Sequence, residues 1–143
     1  MSKHTPQQLH KPVLLDQVVE LLAPRPGETY LDLTAGYGGH ASAIADRLGG
    51  FETVTLVDRD ENAITELKQF ESRGATLVHD DFAHFAESAA EAGTVYDMVL
   101  VDFGVSSPQL DRAERGFSIR TTGPLDMRMD QRQTKTAIDV LND

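Results

Sequence analysis

Cysteine is absent from the 143 residues, which excludes a disulfide frame and a thiolate metal site and makes the cytoplasm the default compartment. Also missing is any unbroken apolar run of the roughly 20 residues that a membrane helix needs. The opening Met1-Ser2-Lys3-His4-Thr5-Pro6-Gln7 lacks the apolar stretch of a secretory signal. A membrane partner is therefore not expected. Basic residues are scarce as well, 13 against 23 acidic ones, for a net charge of −10. An acidic surface repels nucleic acid if the charge is evenly spread, and here it is uneven. Arg112, Arg115, Arg120, Arg128, Arg132 and Lys135 face only Glu114, Asp126 and Asp130 in their window. That basic segment on an acidic body is a candidate for local phosphate contacts.

What remains is ordinary for one globular domain, 40% hydrophobic and 25% charged. Residues 1–10 are polar and are expected to be loose. Pro12 to Leu22 repeats apolar residues at helical spacing up to Pro24-Arg25-Pro26-Gly27. Short apolar strands then alternate with helices. Thr29 to Leu33, Thr53 to Val57, Ala75 to Val78 and Tyr96 to Val101 read as strands, and His40 to Leu48, Glu61 to Phe70 and Phe82 to Ala92 as helices. The alternation predicts an α/β fold with a mostly parallel sheet flanked by helices. Ligands in such folds bind outside the carboxyl ends of the strands. Residues 103–133 have no clear period and are long for a structureless loop. Thr136 to Leu141 reads as the start of a further helix.

Gly36-Tyr37-Gly38-Gly39-His40-Ala41 fits G-x-G-x-x-G/A between a strand and a helix, and Asp58 follows about 20 positions later. Glycines let the backbone turn tightly and approach a ligand, and Asp58 at the next strand's end can accept ribose hydroxyl protons. The plain structural alternative is a tight strand-to-helix turn, with Asp58 capping the next helix. Asp32 separates two nucleotide classes. A carboxylate just before the glycine loop repels the pyrophosphate of a dinucleotide but favours the cationic ammonium and sulfonium of S-adenosylmethionine. An NAD-dependent oxidoreductase is the rival on the glycine pattern alone. Asp81-Phe82 is placed to offer adenine a hydrogen bond and an apolar face.

Six strings carry a resemblance beyond any single motif. They are His10-Lys11-Pro12-Val13-Leu14-Leu15, Asp32 to His40 (DLTAGYGGH), Asp58-Arg59-Asp60, Gly104 to Asp111 (GVSSPQLD), Glu114 to Ser118 (ERGFS) and Gly123 to Asp130 (GPLDMRMD). In order and spacing the chain resembles the ribosomal RNA small subunit methyltransferase H family, the MraW type. The resemblance implies a Rossmann-like class I methyltransferase fold with S-adenosyl-L-methionine as donor. It implies methylation of the exocyclic N4 of a cytidine in the decoding region of 16S ribosomal RNA. It carries cofactor contacts onto Gly38, Gly39, His40, Asp58, Phe82, Asp102 and Gln109, beside Gly36 from the loop itself. Phe103 follows Asp102 where the family usually has leucine. Family members are considerably longer, with a helical insert, so the sheet is expected to be incomplete here. Residues 1–133 then form the N-terminal part of the donor-binding domain, and 134–143 begin the insert.

Asp102, at the fourth strand's end where amino-methylating enzymes of this architecture place a polar motif, is the candidate catalytic group. Its carboxylate would accept an N4 proton while the amine attacks the methyl carbon. The arginines of 112–132 and Phe117 are candidates for holding RNA, against simple packing of Phe117, Met127 and Met129. A metal is not expected, since His79 and His84 near Asp80 and Asp81 suit surface pairing better than ligation. A homodimer is possible. A non-catalytic nucleotide-binding or interaction module is the second functional reading.

Overall fold

Strands that are apolar on both faces have to be covered on both, and the two central ones are buried almost throughout: Tyr30, Leu31 and Asp32 in one, Val54 to Val57 in the other. The computed structural model describes residues 12–143. The polar stretch 1–10, with His10 and Lys11 of the first motif, lies outside the described residues. The elements run α1 (Leu15–Leu22), β1 (Tyr30–Asp32), α2 (Gly39–Leu48), β2 (Val54–Asp58), α3 (Glu61–Glu71), β3 (Thr76–His79), α4 (Phe82–Glu91) and β4 (Met98–Leu100). A short α5 (Ser107–Asp111), a single 3-10 turn (Ala113–Arg115) and α6 (Ala137–Asn142) follow. All strand pairs are parallel, in the order β3-β2-β1-β4. This is the α/β architecture expected of the alternation.

Successive side chains of a strand point to opposite faces, and two apolar layers result. Tyr30, Val54 and Leu56 join Ile44 and Leu48 of α2 and Leu67 and Phe70 of α3 on one face. Leu31, Leu33 and Val57 face Phe82 and Phe85 of α4 on the other. Among the described residues, no helix is long and apolar enough to cross a membrane.

Two departures from the expected elements have local causes. The first helix begins at Leu15 rather than Pro12. Leu14 adopts a left-handed conformation (φ 54°), and the Val13 carbonyl accepts a 3.0 Å hydrogen bond from His40 Nε2, so residues 12–14 are drawn onto α2 instead of winding. The stretch 103–133 is not structureless. Ser106 and Gln109 form a capping box that starts α5, and α5 and the 3-10 turn are anchored from a distance as described below.

Candidate functional site

The chain steps outward from β1 to β2 to β3, then returns to place β4 on the other side of β1. That reversal opens a crevice at the carboxyl ends of β1 and β4, the place where such sheets bind ligands. Two hydrogen bonds fix the two tips to each other: Leu33 N–H donates to the Leu100 carbonyl at 3.0 Å and Asp102 N–H to Thr34 Oγ1 at 2.7 Å. A cleft of about 160 Å³ lies here, with Asp102, His40, Leu100, Val13 and Leu14 in its wall. A larger groove of about 450 Å³ runs between α1 and α2. It contains no strand-tip residue and none of the predicted site groups, so the chemistry belongs to the smaller cleft. Asp102 is exposed, and no hydrogen bond to its carboxylate is recorded among the described residues, which leaves that group open to a ligand.

The glycine loop is built to be tight. Gly38 has φ 77°, a left-handed value that disfavours any side chain, and a Cβ there would collide with the Phe70 ring. A Cβ on Gly39 would collide with the Pro12 ring. These two glycines let α2 start against the core on one side and against residues 12–13 on the other. The loop amides are largely committed: Gly36 N–H donates to Asp58 Oδ2 at 2.8 Å, and Gly38 N–H to the Ala35 carbonyl at 2.9 Å. A pyrophosphate would have to displace a carboxylate from Gly36. Asp58 also accepts Asp60 N–H at 2.8 Å. Burial raises its carboxyl above the usual range, with the two N–H bonds opposing. Each oxygen still has a lone pair for a hydroxyl donor.

Asp32 is 1% exposed. It accepts the Tyr30 hydroxyl at 2.9 Å and Thr34 N–H at 3.2 Å. Burial raises its pKa to about 6, with those hydrogen bonds opposing. At neutral pH it is mainly ionised, so it acts on the crevice through its field and not by direct contact.

Gln109 is buried with both ends of its amide engaged. Nε2 donates to Asp60 Oδ2 at 2.8 Å, and Oε1 accepts Ser106 N–H at 3.0 Å. In this structure it positions the 106–111 turn and is not an open ligand contact. Phe82 caps the second core layer and meets the exposed Phe103 ring edge-on at 5.5 Å.

The basic segment is corrected by its pairing. Arg115 is 6% exposed and ion-paired to Asp60 at 2.9 Å, so it is not available to phosphate. Arg128 pairs with Asp126 at 2.7 Å, Arg132 with Asp130 at 2.8 Å and Lys135 with Asp143 at 2.5 Å. Arg112 and Arg120 have no ion pair among the described residues. Phe117 is buried at 9% exposure, which favours packing over RNA stacking. His79 donates to the Arg59 carbonyl at 3.2 Å and His84 pairs with Asp80 at 2.6 Å, so the two imidazoles serve different partners.

Asp60 and Thr34 lie in the motif strings just beyond strand ends, but the sequence assigned neither a role. Asp60 is 4% exposed. It caps α3 through Asn62 N–H at 3.0 Å and receives Gln109 and both terminal nitrogens of Arg115. Burial pushes its carboxyl up, but these hydrogen bonds outweigh it and hold the pKa below the usual range. Its signals were its place in the Asp58-Arg59-Asp60 string and directly before a helix, the N-cap position.

The chain matches the MraW methylase family over residues 7–143. It is 46% identical over 140 residues to a ribosomal RNA small subunit methyltransferase H from Heliobacterium modesticaldum, covering 94% of this chain and 44% of that protein. It is 44% identical over 140 residues to the protein of the same name from Cupriavidus pinatubonensis, covering 98% and 42%. A Mycoplasma genitalium relative of that name is 41% identical over 138 residues, covering 94% and 45%. The chain thus spans less than half the length of these curated relatives.

Proposed function

The chain belongs to the MraW methylase family, and from that premise we propose that it carries the donor-binding part of an S-adenosylmethionine-dependent ribosomal RNA methyltransferase. The finer reading is methylation of N4 of a cytidine in the decoding region of 16S ribosomal RNA. One observation carries the proposal: an exposed carboxylate, Asp102, stands in a cleft at the topological switch point, beside a glycine loop whose Gly36 amide is already held by Asp58.

The residues present fit this donor. The carboxylates of Asp32, Asp58 and Asp102 follow or end neighbouring strands and make the crevice electronegative, which suits a cation and disfavours phosphate. Asp58 would hold the ribose hydroxyls with its remaining lone pairs, and Phe82 would supply an apolar face. When bound, the donor supplies an electrophilic methyl carbon on a positively charged sulfur. The chain's own task is alignment and proton handling. Cytosine N4 is a weak nucleophile because its lone pair is delocalised into the ring. A carboxylate accepting one N4 proton at Asp102 returns electron density to that nitrogen as it attacks. His40, tied to the Val13 carbonyl, keeps residues 12–14 against the cleft.

Calorimetric titration with S-adenosylhomocysteine, with NAD as the control, tests the binding half: uptake of the first and not the second is expected, and NAD binding would overturn the proposal. The transfer half is read from labelled methyl entering small-subunit RNA. Asp102→Asn should still take up the donor product and lose about a hundredfold or more in transfer rate at saturating donor. A full-rate variant rejects Asp102 as the proton acceptor. A second reading, donor binding without transfer, is favoured by the chain spanning 44% of the Heliobacterium relative; binding with no detectable transfer would support it.

A further inference from the structure

Asp58 does not stand alone at the tip of β2. Asp32 ends the neighbouring strand β1, and His79 is the register partner of Asp58 on β3. Arg59, beside it, is paired with Asp81 at 3.4 Å, and His40 of α2 is bonded to the Val13 carbonyl. Asp60 is tied to Asp58 directly, its N–H donating to Asp58 Oδ1 at 2.8 Å. Burial pushes the Asp58 carboxyl up, and the Asp60 carboxylate pushes it the same way. Two carboxylates at one desolvated site move toward sharing a proton. A cation from far along the chain opposes this. Arg115 donates from Nη2 to Asp60 Oδ2 at 2.9 Å and from Nη1 to Oδ1 at 3.3 Å, with both residues almost wholly buried.

That cation reaches Asp60 through a folded segment. The same guanidinium donates to the Arg128 and Met129 carbonyls at 3.2 and 3.1 Å. Gln109 Nε2 meets Asp60 Oδ2 at 2.8 Å, and Arg112 meets Asn62 Oδ1 at 3.0 Å on the same helix head. We infer that Arg115 and Asp60 are positioning residues for the methyl donor: Arg115 neutralises the carboxylate beside Asp58, and Asp60 pins the turn whose amide orients Asp58, so that Asp58 meets the ribose as an anion only while residues 103–133 are docked. This rests on the reading of Asp58 as the ribose acceptor and makes donor affinity depend on residues outside the crevice. The two members act on Asp58 with opposite sign. Removing the cation leaves Asp60 unbalanced and holds a proton on Asp58 to higher pH; removing the anion leaves Arg115 unbalanced and drives that proton off. Either removal destabilises the fold in the same direction, because a buried charge loses its counter-ion. The sign therefore separates an electrostatic role from a structural one.

The full chain labelled with 13C at the aspartate carboxyl carbons, with the Asp58 resonance assigned by its loss in Asp58→Asn, reads the titration directly. Calorimetry with S-adenosylhomocysteine across a pH series reads its consequence. Arg115→Met should move the Asp58 titration and the acid limb of the affinity to higher pH, weakening binding on that limb about tenfold for each pH unit moved. Asp60→Asn should move both to lower pH. Asp60→Asn combined with Arg115→Met should return both to the wild-type position. If Arg115→Met does not fold, Asp60→Asn compared with the double variant carries the same test of sign. Displacement of both single variants in one direction, no displacement, or a displaced titration with unchanged affinity overturns the inference and leaves the donor-binding proposal standing. If the wild-type chain takes up no S-adenosylhomocysteine, both fall.

Discussion

Asp32 is the costliest single group in the crevice. A carboxyl buried at 1% exposure loses its hydration, and two hydrogen bonds only partly compensate, leaving a pKa of about 6 against roughly 3.9 in an unfolded chain. The sign follows from linkage. A group whose folded pKa is raised contributes stability below its unfolded pKa, and that contribution is lost as pH rises through the folded value. Ionising Asp32 between about pH 4 and pH 6 therefore costs on the order of 3 kcal/mol. Asp32→Asn cannot ionise and can still accept Thr34 N–H while its amide donates to the Tyr30 oxygen. The variant should gain stability relative to wild type as pH is raised from 4 to 7, measured by urea unfolding at each pH. Parallel curves for the two proteins would mean the carboxylate is not desolvated as described. The fold has tolerated this cost at the end of β1, beside the switch-point crevice, which is the pattern expected of a group kept for its field rather than for stability.

At the scale of elements, the strands and first helices were legible because their signals are local. Val54 to Val57 is a mostly β-branched, mostly apolar run, Gly49 ends α2 in a left-handed cap, and the sheet order needed only alternation and crossover rules. The start of α1 was not legible, since His40 reaches it from 27 positions away. Nor was the segment after β4, whose anchor is an ion pair between residues 55 positions apart. Arg115 crosses from the 3-10 turn to Asp60 at the head of α3 and also donates to the Arg128 and Met129 carbonyls at 3.2 and 3.1 Å. Its Nε is buried without a partner among the described residues, so the anchor is not fully satisfied. Removing one member leaves the other charge buried without its counter-ion, which costs about 3–5 kcal/mol. Arg115→Met should therefore destabilise the chain by that amount, and Asp60→Asn combined with it should recover a substantial part. A double-mutant cycle in urea measures the coupling. Additive effects would show that the ion pair is not what holds residues 103–133 in place.

For the whole molecule, the question is how a chain of net charge −10 approaches RNA. Summing charges along the sequence pointed to a basic window of six cations, and the structure cancels most of it internally: Arg115, Arg128, Arg132 and Lys135 each sit against a carboxylate. Burial and pairing, which no running sum of charge contains, decided that part of the site. Arg112, which donates to Asn62 Oδ1 at 3.0 Å, and Arg120 are left as cations of the segment without an ion pair among the described residues. Each phosphate neutralised on a single strand contributes about −0.7 to the slope of log affinity against log salt. Two such contacts give a slope of about −1.4, and using all six cations would give about −4. Oligoribonucleotide binding measured across a salt series should fall near the smaller value, with Arg112→Ala and Arg120→Ala together bringing it close to zero. Arg132→Ala should leave the slope unchanged, because its guanidinium is already neutralised by Asp130. A slope near −4 would mean that the internal ion pairs open when RNA binds, and the carboxylates of Asp60, Asp126, Asp130 and Asp143 would then be holding those cations in reserve.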